Sequence, residues 1–250
     1  MAGSLAGRRV AITGGSSGIG EKTAELLASE GADVAVGARR EDRLEALVER
    51  IASAGGTAHA IRADVADESS ARAFVEEAAE TMGGLDGLVN NAGVMLLGPI
   101  DGANTDEWRR MVEVNLLGLL YCTHAALPIL REGGGGDIVN ISSVAGRIAS
   151  AGSGVYNLTK WGVGAFSEAL RQETGWAKIR VTIVEPGFVD TELQGHNENP
   201  VVQDAIKKMY EQIGKVLDAE DVARAIHYAL SQPQHVSVNE ILVRPTGQPR

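Results

Sequence analysis

Short β-type runs alternate along this chain with longer segments of helical periodicity. The seven β-type runs are 9–13, 33–38, 57–62, 87–90, 137–142, 180–184 and 240–243. The main helical segments are 18–30, 41–54, 68–82, 105–130, 154–176 and 219–231. This alternation is typical of βαβ units, because each crossover between parallel strands lays a helix on the sheet. We therefore expect an α/β fold, a doubly wound Rossmann-like domain with a parallel seven-stranded sheet and helices on both faces.

Length and charge narrow the possible roles. A chain of 250 residues that is 44% hydrophobic can bury one large core, so we expect a single domain over 1–250. Acidic residues outnumber basic ones by 33 to 23, and the formal net charge is -10. Such a surface repels the phosphates of nucleic acids and of anionic membranes. We predict neither as a partner, and we predict no metal site.

The location is predicted from what the sequence lacks. The lone cysteine, Cys122, cannot form an internal disulfide and is interpreted as a buried helical thiol. The first nine residues do not resemble a signal peptide, and no uninterrupted run approaches the roughly 18 apolar residues of a membrane helix. These features predict a cytoplasmic protein.

One polar stretch, 194–200, does not fit the alternation. It follows a strand end and precedes a helix-like segment at 201–213. In a doubly wound sheet the ligand crevice lies at the carboxyl ends of the strands, so we predict a substrate lid at about 190–215. The alternative is an ordinary surface loop.

A glycine-rich turn follows the first predicted strand. Its residues are Gly14, Ser16, Ser17, Gly18, Ile19 and Gly20, in a G-x-x-x-G-x-G spacing around Gly15. Glycine permits the tight turn, and the helix that begins there presents free N–H groups to an anion. Placed between a strand and a helix, the turn predicts a dinucleotide site.

The end of the second predicted strand bears on cofactor choice. An NAD-preferring protein carries an acid there to bind the ribose hydroxyl, but this chain has Ala38 followed by Arg39 and Arg40. Guanidinium groups can bind a ribose phosphate bidentately, so the sequence predicts NADP in preference to NAD. The alternative is that both arginines are solvated charges.

A candidate catalytic group follows the fifth predicted strand. Tyr156 and Lys160 stand four residues apart on a predicted helix and so project from one face. A nearby ammonium would lower the pKa of a phenol, which is otherwise near ~10. Ser143 lies at a strand end, where its hydroxyl could bond a substrate oxygen.

Together these motifs resemble the short-chain dehydrogenase/reductase family, of the common type of about 250 residues. The match covers nearly the whole chain, in the family's order. The residues that carry it are 13–20, 64–65, 90–93, Asn115, 142–143, 156–160, 186–187 and Thr191. Ser143 rather than Ser142 matches the family's serine, because it precedes Tyr156 by the family's spacing of 13 residues.

The resemblance implies a role for each matching position. Asp64 and Val65 would flank the adenine ring, and Asn91, Ala92 and Gly93 would support the cofactor. Asn115 would hold a water near Lys160. The nicotinamide carboxamide would be positioned by Pro186, Gly187, Val189 and Thr191, and the substrate would contact Met95, Ser143, Tyr156 and Phe188. The alternative for each is a turn, cap or packing role.

The resemblance also leaves some points open. Many NADP-using relatives have a basic residue in the glycine-rich turn where this chain has Ser16 and Ser17, so dual cofactor use stays possible. Segments 95–99, 115–119 and 185–193 resemble the branch of clavulanate-aldehyde reductase and of serine and 3-hydroxy-acid dehydrogenases. They indicate a bacterial reductase. Relatives commonly pair through the helices at 105–130 and 154–176, so we expect a homodimer or homotetramer.

The sequence therefore predicts an NADP-dependent oxidoreductase. In the predicted mechanism, Ser143 and Tyr156 hydrogen-bond the carbonyl oxygen of a small aldehyde or ketone. The nicotinamide supplies a hydride, and Tyr156 gives its proton to that oxygen. Lys160 binds the nicotinamide ribose and passes protons toward Asn115. Two alternatives are an epimerase or dehydratase that retains its cofactor, and a sensor that binds dinucleotide without turnover.

Overall fold

The computed structural model describes residues 3–197 and 199–249 as one α/β unit. Its strands are β1 (Arg9–Thr13), β2 (Asp33–Ala38), β3 (Thr57–Arg62), β4 (Gly87–Asn90), β5 (Gly136–Ile141), β6 (Ile179–Pro186), β7 (Val189–Asp190), β8 (Leu217–Asp218) and β9 (Glu240–Val243). Its α-helices are α1 (Gly18–Ser29), α2 (Glu41–Ser53), α3 (Glu68–Met82), α4 (Thr105–Val112), α5 (Gly118–Glu132), α6 (Gly154–Thr174), α7 (Pro200–Ile213) and α8 (Ala219–Leu230).

Seven strands form one parallel sheet in the order β3-β2-β1-β4-β5-β6-β9. This confirms the predicted fold class and every predicted strand, with β6 three residues longer in total than the run 180–184. The sequence did not predict the two-residue parallel pair of β7 and β8, in which Val189 pairs with Leu217. That pair joins the two ends of the predicted lid segment at its base.

Two hydrophobic cores, one on each face, explain why the central strands are mostly apolar. Val10 and Ile12 of β1 point to a core completed by α1, α2 and α8, while Ala11 points to a core completed by α3, α5 and α6. Adjacent strand residues face opposite sides, so a sheet covered on both faces needs apolar residues at every position.

The predicted helix 105–130 is continuous but irregular. A π-helical turn, Glu113–Leu117, joins α4 to α5. The helix then runs past Pro128 to Glu132, two residues beyond the predicted end at 130. Leu130, beyond the proline, is fully buried, and its packing holds the last turn in place despite the missing backbone donor.

The same 28 residues, Thr105–Glu132, form one helix in the described part of the chain that is long and apolar enough to cross a membrane by length and composition. It meets this test through its average hydropathy and contains no uninterrupted run of 18 apolar residues, so the expectation from the sequence is not contradicted. Cys122, Ala126 and Leu130 of this helix are buried against α3 and the sheet. A core helix passes the same test, and these contacts are those of a core helix.

Burial also raises the pKa of the Cys122 thiol to about 12.

Candidate active site

A cavity of about 1110 Å³ opens at the carboxyl ends of the sheet strands. Nearly all of the predicted site residues line it: Gly14, Ser16, Ser17, Gly18, Ile19, Arg39, Arg40, Asp64, Val65, Asn91, Ala92, Gly93, Met95, Ser143, Tyr156, Lys160, Pro186, Gly187, Phe188, Val189 and Thr191. Gly20 and Asn115 are set back from its wall. The described residues contain no cluster of three or more metal-ligating side chains.

The glycine-rich turn fits an anionic ligand. Gly14 and Gly18 adopt positive φ values of 71° and 57°, which L side chains rarely adopt. Ser17 is the N-cap residue that precedes α1, but its side chain accepts no hydrogen bond from the first backbone N–H groups of the helix. The Asp67 side chain, in contrast, does cap α3. The first N–H groups of α1 are therefore available at the cavity wall, where a pyrophosphate would be stabilised.

Gly20 acts through packing. A Cβ at this position would lie 2.4 Å from the Gly14 carbonyl oxygen and 2.5 Å from Asn91 Nδ2. Asn91 in turn donates from Nδ2 to the carbonyls of Thr13 (2.9 Å) and Gly14 (3.2 Å). The end of β4 is thus tied to the turn after β1, so Asn91 shapes the cradle as well as lining it.

The two arginines after β2 differ in their contacts. Arg39 is exposed and makes no hydrogen bond or ion pair with residues 3–197 or 199–249. Arg40 donates to the hydroxyls of Ser16 (2.9 Å from Nη2) and Ser17 (2.8 Å) and pairs with Glu192. The hydroxyls of the two serines in the glycine-rich turn are thus already bonded to Arg40.

Ser143, Tyr156 and Lys160 converge at the opposite part of the cavity. The Lys160 Nζ lies 5.8 Å from the centroid of the Tyr156 ring and donates to the Ile141 carbonyl at 2.9 Å. An interaction with the Ser143 hydroxyl favours the ionised form of the Tyr156 phenol, and that hydroxyl also donates to the Pro186 carbonyl at 3.4 Å. The Ser142 hydroxyl instead donates to the Lys160 carbonyl at 3.0 Å, which is a structural contact. This geometry supports Ser143 over Ser142.

Burial dominates the electrostatics of this group. Desolvation raises the pKa of Tyr156 to about 12, against a smaller lowering by the Ser143 hydrogen bond. Desolvation also lowers the pKa of Lys160 to about 8. The expected lowering of the phenol pKa by the ammonium is therefore not found in the protein alone, because both groups are removed from water. A phenol with this pKa stays protonated at neutral pH and is suited to donate a proton.

Asn115 lies in the π-helical turn behind Lys160. Its Oδ1 accepts from the Val94 N–H at 2.8 Å, and its Nδ2 donates to the Val94 carbonyl (2.9 Å) and to the Thr159 hydroxyl (3.2 Å). Both polar atoms of the side chain are thus bonded to protein, and the role of holding a water near Lys160 stays a prediction. Such wide helical turns are frequent at functional sites.

Several residues that build the site were missed from the sequence. Asn157 donates from Nδ2 to the carbonyls of Ala145 (2.7 Å) and Ile148 (2.9 Å) and so fixes the loop after Ser143. Gln248 accepts the Phe188 N–H at 3.0 Å. Asn157 stands inside the Tyr156–Lys160 motif, which could have signalled it, but nothing local marks Gln248.

The predicted lid segment forms one wall of the cavity. It contains a 3₁₀ turn, Glu192–His196, and α7; Glu198 lies outside the described residues. The Leu97 N–H donates to Asn197 Oδ1 at 2.7 Å, which joins the segment to the loop after β4. Its role as a mobile lid stays a prediction.

Comparisons with known proteins identify the family of this chain. The model of the short chain dehydrogenase family matches residues 8–201. A glycine betaine reductase of Emericella nidulans is 44% identical over 248 residues, 99% of this chain, although the chain spans only 19% of that relative. An uncharacterized oxidoreductase of Staphylococcus saprophyticus is 40% identical, with 96% of each chain covered.

Among solved structures, the closed form of a serine dehydrogenase complexed with NADP+ superposes with a TM-score of 0.86 at 32% identity, covering 96% of each chain. Family model, relatives and structural neighbour agree on the family and on the α/β fold with its parallel sheet. The chain therefore belongs to the short-chain dehydrogenase family of oxidoreductases.

Proposed function

We propose that the protein reduces small aldehydes or ketones with NADPH, or oxidises the corresponding alcohols with NADP+. The observation that carries this proposal is the convergence of Ser143, Tyr156 and Lys160 on a cavity that also contains the uncapped start of α1. A bound nicotinamide would supply the hydride.

The chain's own residues would handle the oxygen and the proton. Ser143 and Tyr156 would both donate hydrogen bonds to the carbonyl oxygen. These two bonds would stabilise the negative charge that develops on this oxygen during hydride transfer. Tyr156 would then give its proton to that oxygen, which becomes a hydroxyl. Lys160 would return a proton to the phenol, and the pKa of about 8 lets it exchange that proton near neutral pH.

NADP is proposed in preference to NAD on two grounds. Arg39 and Arg40 line the cavity where an acid would be needed for an unphosphorylated ribose. The neighbouring serine dehydrogenase was solved with NADP+. Asp64 and Val65 would flank the adenine, and Pro186, Gly187 and Thr191 would hold the nicotinamide end.

The part of the substrate beyond the carbonyl group is proposed to be apolar, because the face of α7 that lines the cavity is mostly apolar. Residues of α7 that line it are Val201, Val202, Ala205, Ile206, Met209, Gln212 and Ile213, while the intervening charged residues Asp204, Lys207, Lys208 and Glu211 do not. Met95 and Phe188 add to this wall. An apolar face on a helix needs apolar contact, and substrate would supply it.

A substrate series tests both the reaction and this wall. NADPH absorbance should fall on addition of straight-chain aldehydes, with kcat/KM rising about fourfold for each added methylene until the wall is filled. The substitution Met209→Ser should flatten this dependence, whereas Lys207→Ser, on the opposite face of α7, should not. Two further compounds are tested as substrates: a trimethylammonium aldehyde with NADPH, and serine with NADP+.

The outcomes separate the alternatives. A cofactor-retaining epimerase or dehydratase would convert substrate without net NADPH consumption, and a sensor would bind NADPH without converting any substrate. A kcat/KM that is unchanged or falls along the aldehyde series would contradict the apolar pocket while leaving the reaction class intact.

Assembly and location are proposed from family resemblance. We expect a homodimer or homotetramer that pairs through α4, α5 and α6, in a cytoplasmic setting, and a bacterial source. Sedimentation velocity would distinguish monomer, dimer and tetramer.

A further inference from the structure

The guanidinium group of Arg40 makes four hydrogen bonds to neighbouring side chains. Its Nε and Nη2 donate to Ser16 Oγ at 3.1 and 2.9 Å, and Nη2 also donates to Ser17 Oγ at 2.8 Å. The remaining nitrogen, Nη1, donates to Glu192 Oε2 at 2.8 Å. Four of the five guanidinium N–H groups therefore have an acceptor, so a phosphate that binds Arg40 through two N–H groups must displace one of these acceptors.

Glu192 is the charged acceptor of the three. Its second oxygen, Oε1, accepts from Arg43 Nη1 at 2.6 Å, so one carboxylate bridges two arginines. These bonds lower the pKa of Glu192 to about 2, and the group is therefore ionised at any assay pH. Glu192 also begins the 3₁₀ turn at the start of the lid segment and lines the cavity.

We propose that Glu192 is a built-in competitor for the 2′-phosphate of NADP(H), an internal carboxylate that occupies Arg40 and weakens the preference for NADP over NAD. This inference rests on the proposed function, because it assumes that the ribose phosphate binds at Arg39 and Arg40. When the phosphate takes Nη1 of Arg40, Glu192 keeps its bond to Arg43.

Competition fits the contacts better than support does. Arg40 is oriented by two serine hydroxyls through Nε and Nη2, so its position does not depend on Glu192. A carboxylate beside a phosphate repels it, whereas NAD, with a hydroxyl at the same place, leaves the Arg40–Glu192 pair intact. The effect of Glu192 is therefore specific to the phosphorylated cofactor.

The test is the dissociation constant of each cofactor, measured by calorimetry on the full chain. Glu192→Gln should lower the Kd of NADP+ by about three- to tenfold and change the Kd of NAD+ by less than about twofold. Glu168→Gln is the matched control. Glu168 is also exposed, also bonded to an arginine (Arg171) and also has its pKa lowered to about 2, but it lies on α6 away from the cavity. It should change neither constant.

A second variant tests the role of Arg43. Arg43→Gln removes the ion-pair partner that Glu192 keeps when a phosphate displaces it from Arg40. The substitution should therefore raise the Kd of NADP+ in the wild-type background. The effect should be smaller in the Glu192→Gln background, where this ion pair is already absent. The double-mutant cycle isolates this coupling from the loss of one positive charge.

Each outcome decides between the ideas. If the wild-type protein binds neither dinucleotide, the proposed function fails. If the wild type binds NADP+ but Glu192→Gln leaves its Kd unchanged, raises it, or lowers the Kd of NAD+ equally, the proposed function stands and the competitor role is overturned.

Discussion

Replacing Tyr156 with phenylalanine should lower kcat for carbonyl reduction by a factor on the order of 10²–10⁴. The variant removes the phenol hydroxyl that is proposed to give its proton to the forming alcohol and leaves the ring, which is buried, in place. Ser143 keeps its position because its Oγ also accepts the Ala145 N–H at 3.1 Å. Turnover should therefore fall while the Kd of NADP+ and the melting temperature change little.

Single-turnover NADPH oxidation together with cofactor titration would measure this. Tyr228→Phe is a suitable control, since Tyr228 is half-exposed on α8 and does not line the cavity. If Tyr156→Phe kept a tenth or more of the wild-type kcat, another group would have to supply the proton and the proposed mechanism would be wrong.

Replacing Lys160 with methionine should abolish most activity and yet stabilise the fold at neutral pH. Below about pH 8 the folded wild type holds a desolvated ammonium, which lowers the lysine pKa from 10.5 to about 8. A shift of this size corresponds to a cost on the order of 3 kcal/mol. The lost bond to the Ile141 carbonyl offsets about 1–2 kcal/mol of it, so the net gain should be about 1–2 kcal/mol.

The sign of the pH dependence makes this prediction specific. Between about pH 8 and 10.5 the folded protein loses the lysine proton while the unfolded chain keeps it, so wild-type stability rises with pH relative to the variant. Denaturant unfolding at pH 7 and 9.5 should show the difference between the two proteins shrinking. A constant difference would mean that the burial of the ammonium is not its cause.

Kinetics give an independent measure of the same lysine. Reductive kcat/KM of the wild type should fall as the pH rises through about 8, because the ammonium that returns the proton to Tyr156 is lost. The residual activity of Lys160→Met should lack this limb. A wild-type profile that stays flat to pH 9.5 would remove Lys160 from the proton path.

The sequence predicted those parts of the site that depend on local pattern and chain order. The Gly14–Gly20 turn and the Tyr156/Lys160 spacing are local, and the carboxyl ends of parallel strands bring Ser143, Asn91 and Arg39 to one edge of the sheet. Site roles for these residues stay predictions until they are tested by substitution.

What the sequence could not supply depends on distant contacts. The sign of the Tyr156 pKa shift depends on how completely the surrounding segments exclude water, which no four-residue spacing reveals. Gln248 reaches Phe188 across 60 residues, and Glu192 meets Arg40 across 152. The β7–β8 pair has only two residues in each strand, too few for a pattern.

The wide turn at Glu113–Leu117 has a consequence for how this chain can change in length. It fits one more residue into a turn than a regular helix does, so deleting a single residue there would restore a regular α-helix and leave α4 and α5 in the same relative orientation. Cys122 and Leu130 would then stay packed, whereas Asn115 would lose its bonds to Val94 and Thr159. The loss of one codon in this turn should therefore spare the fold and disrupt the site.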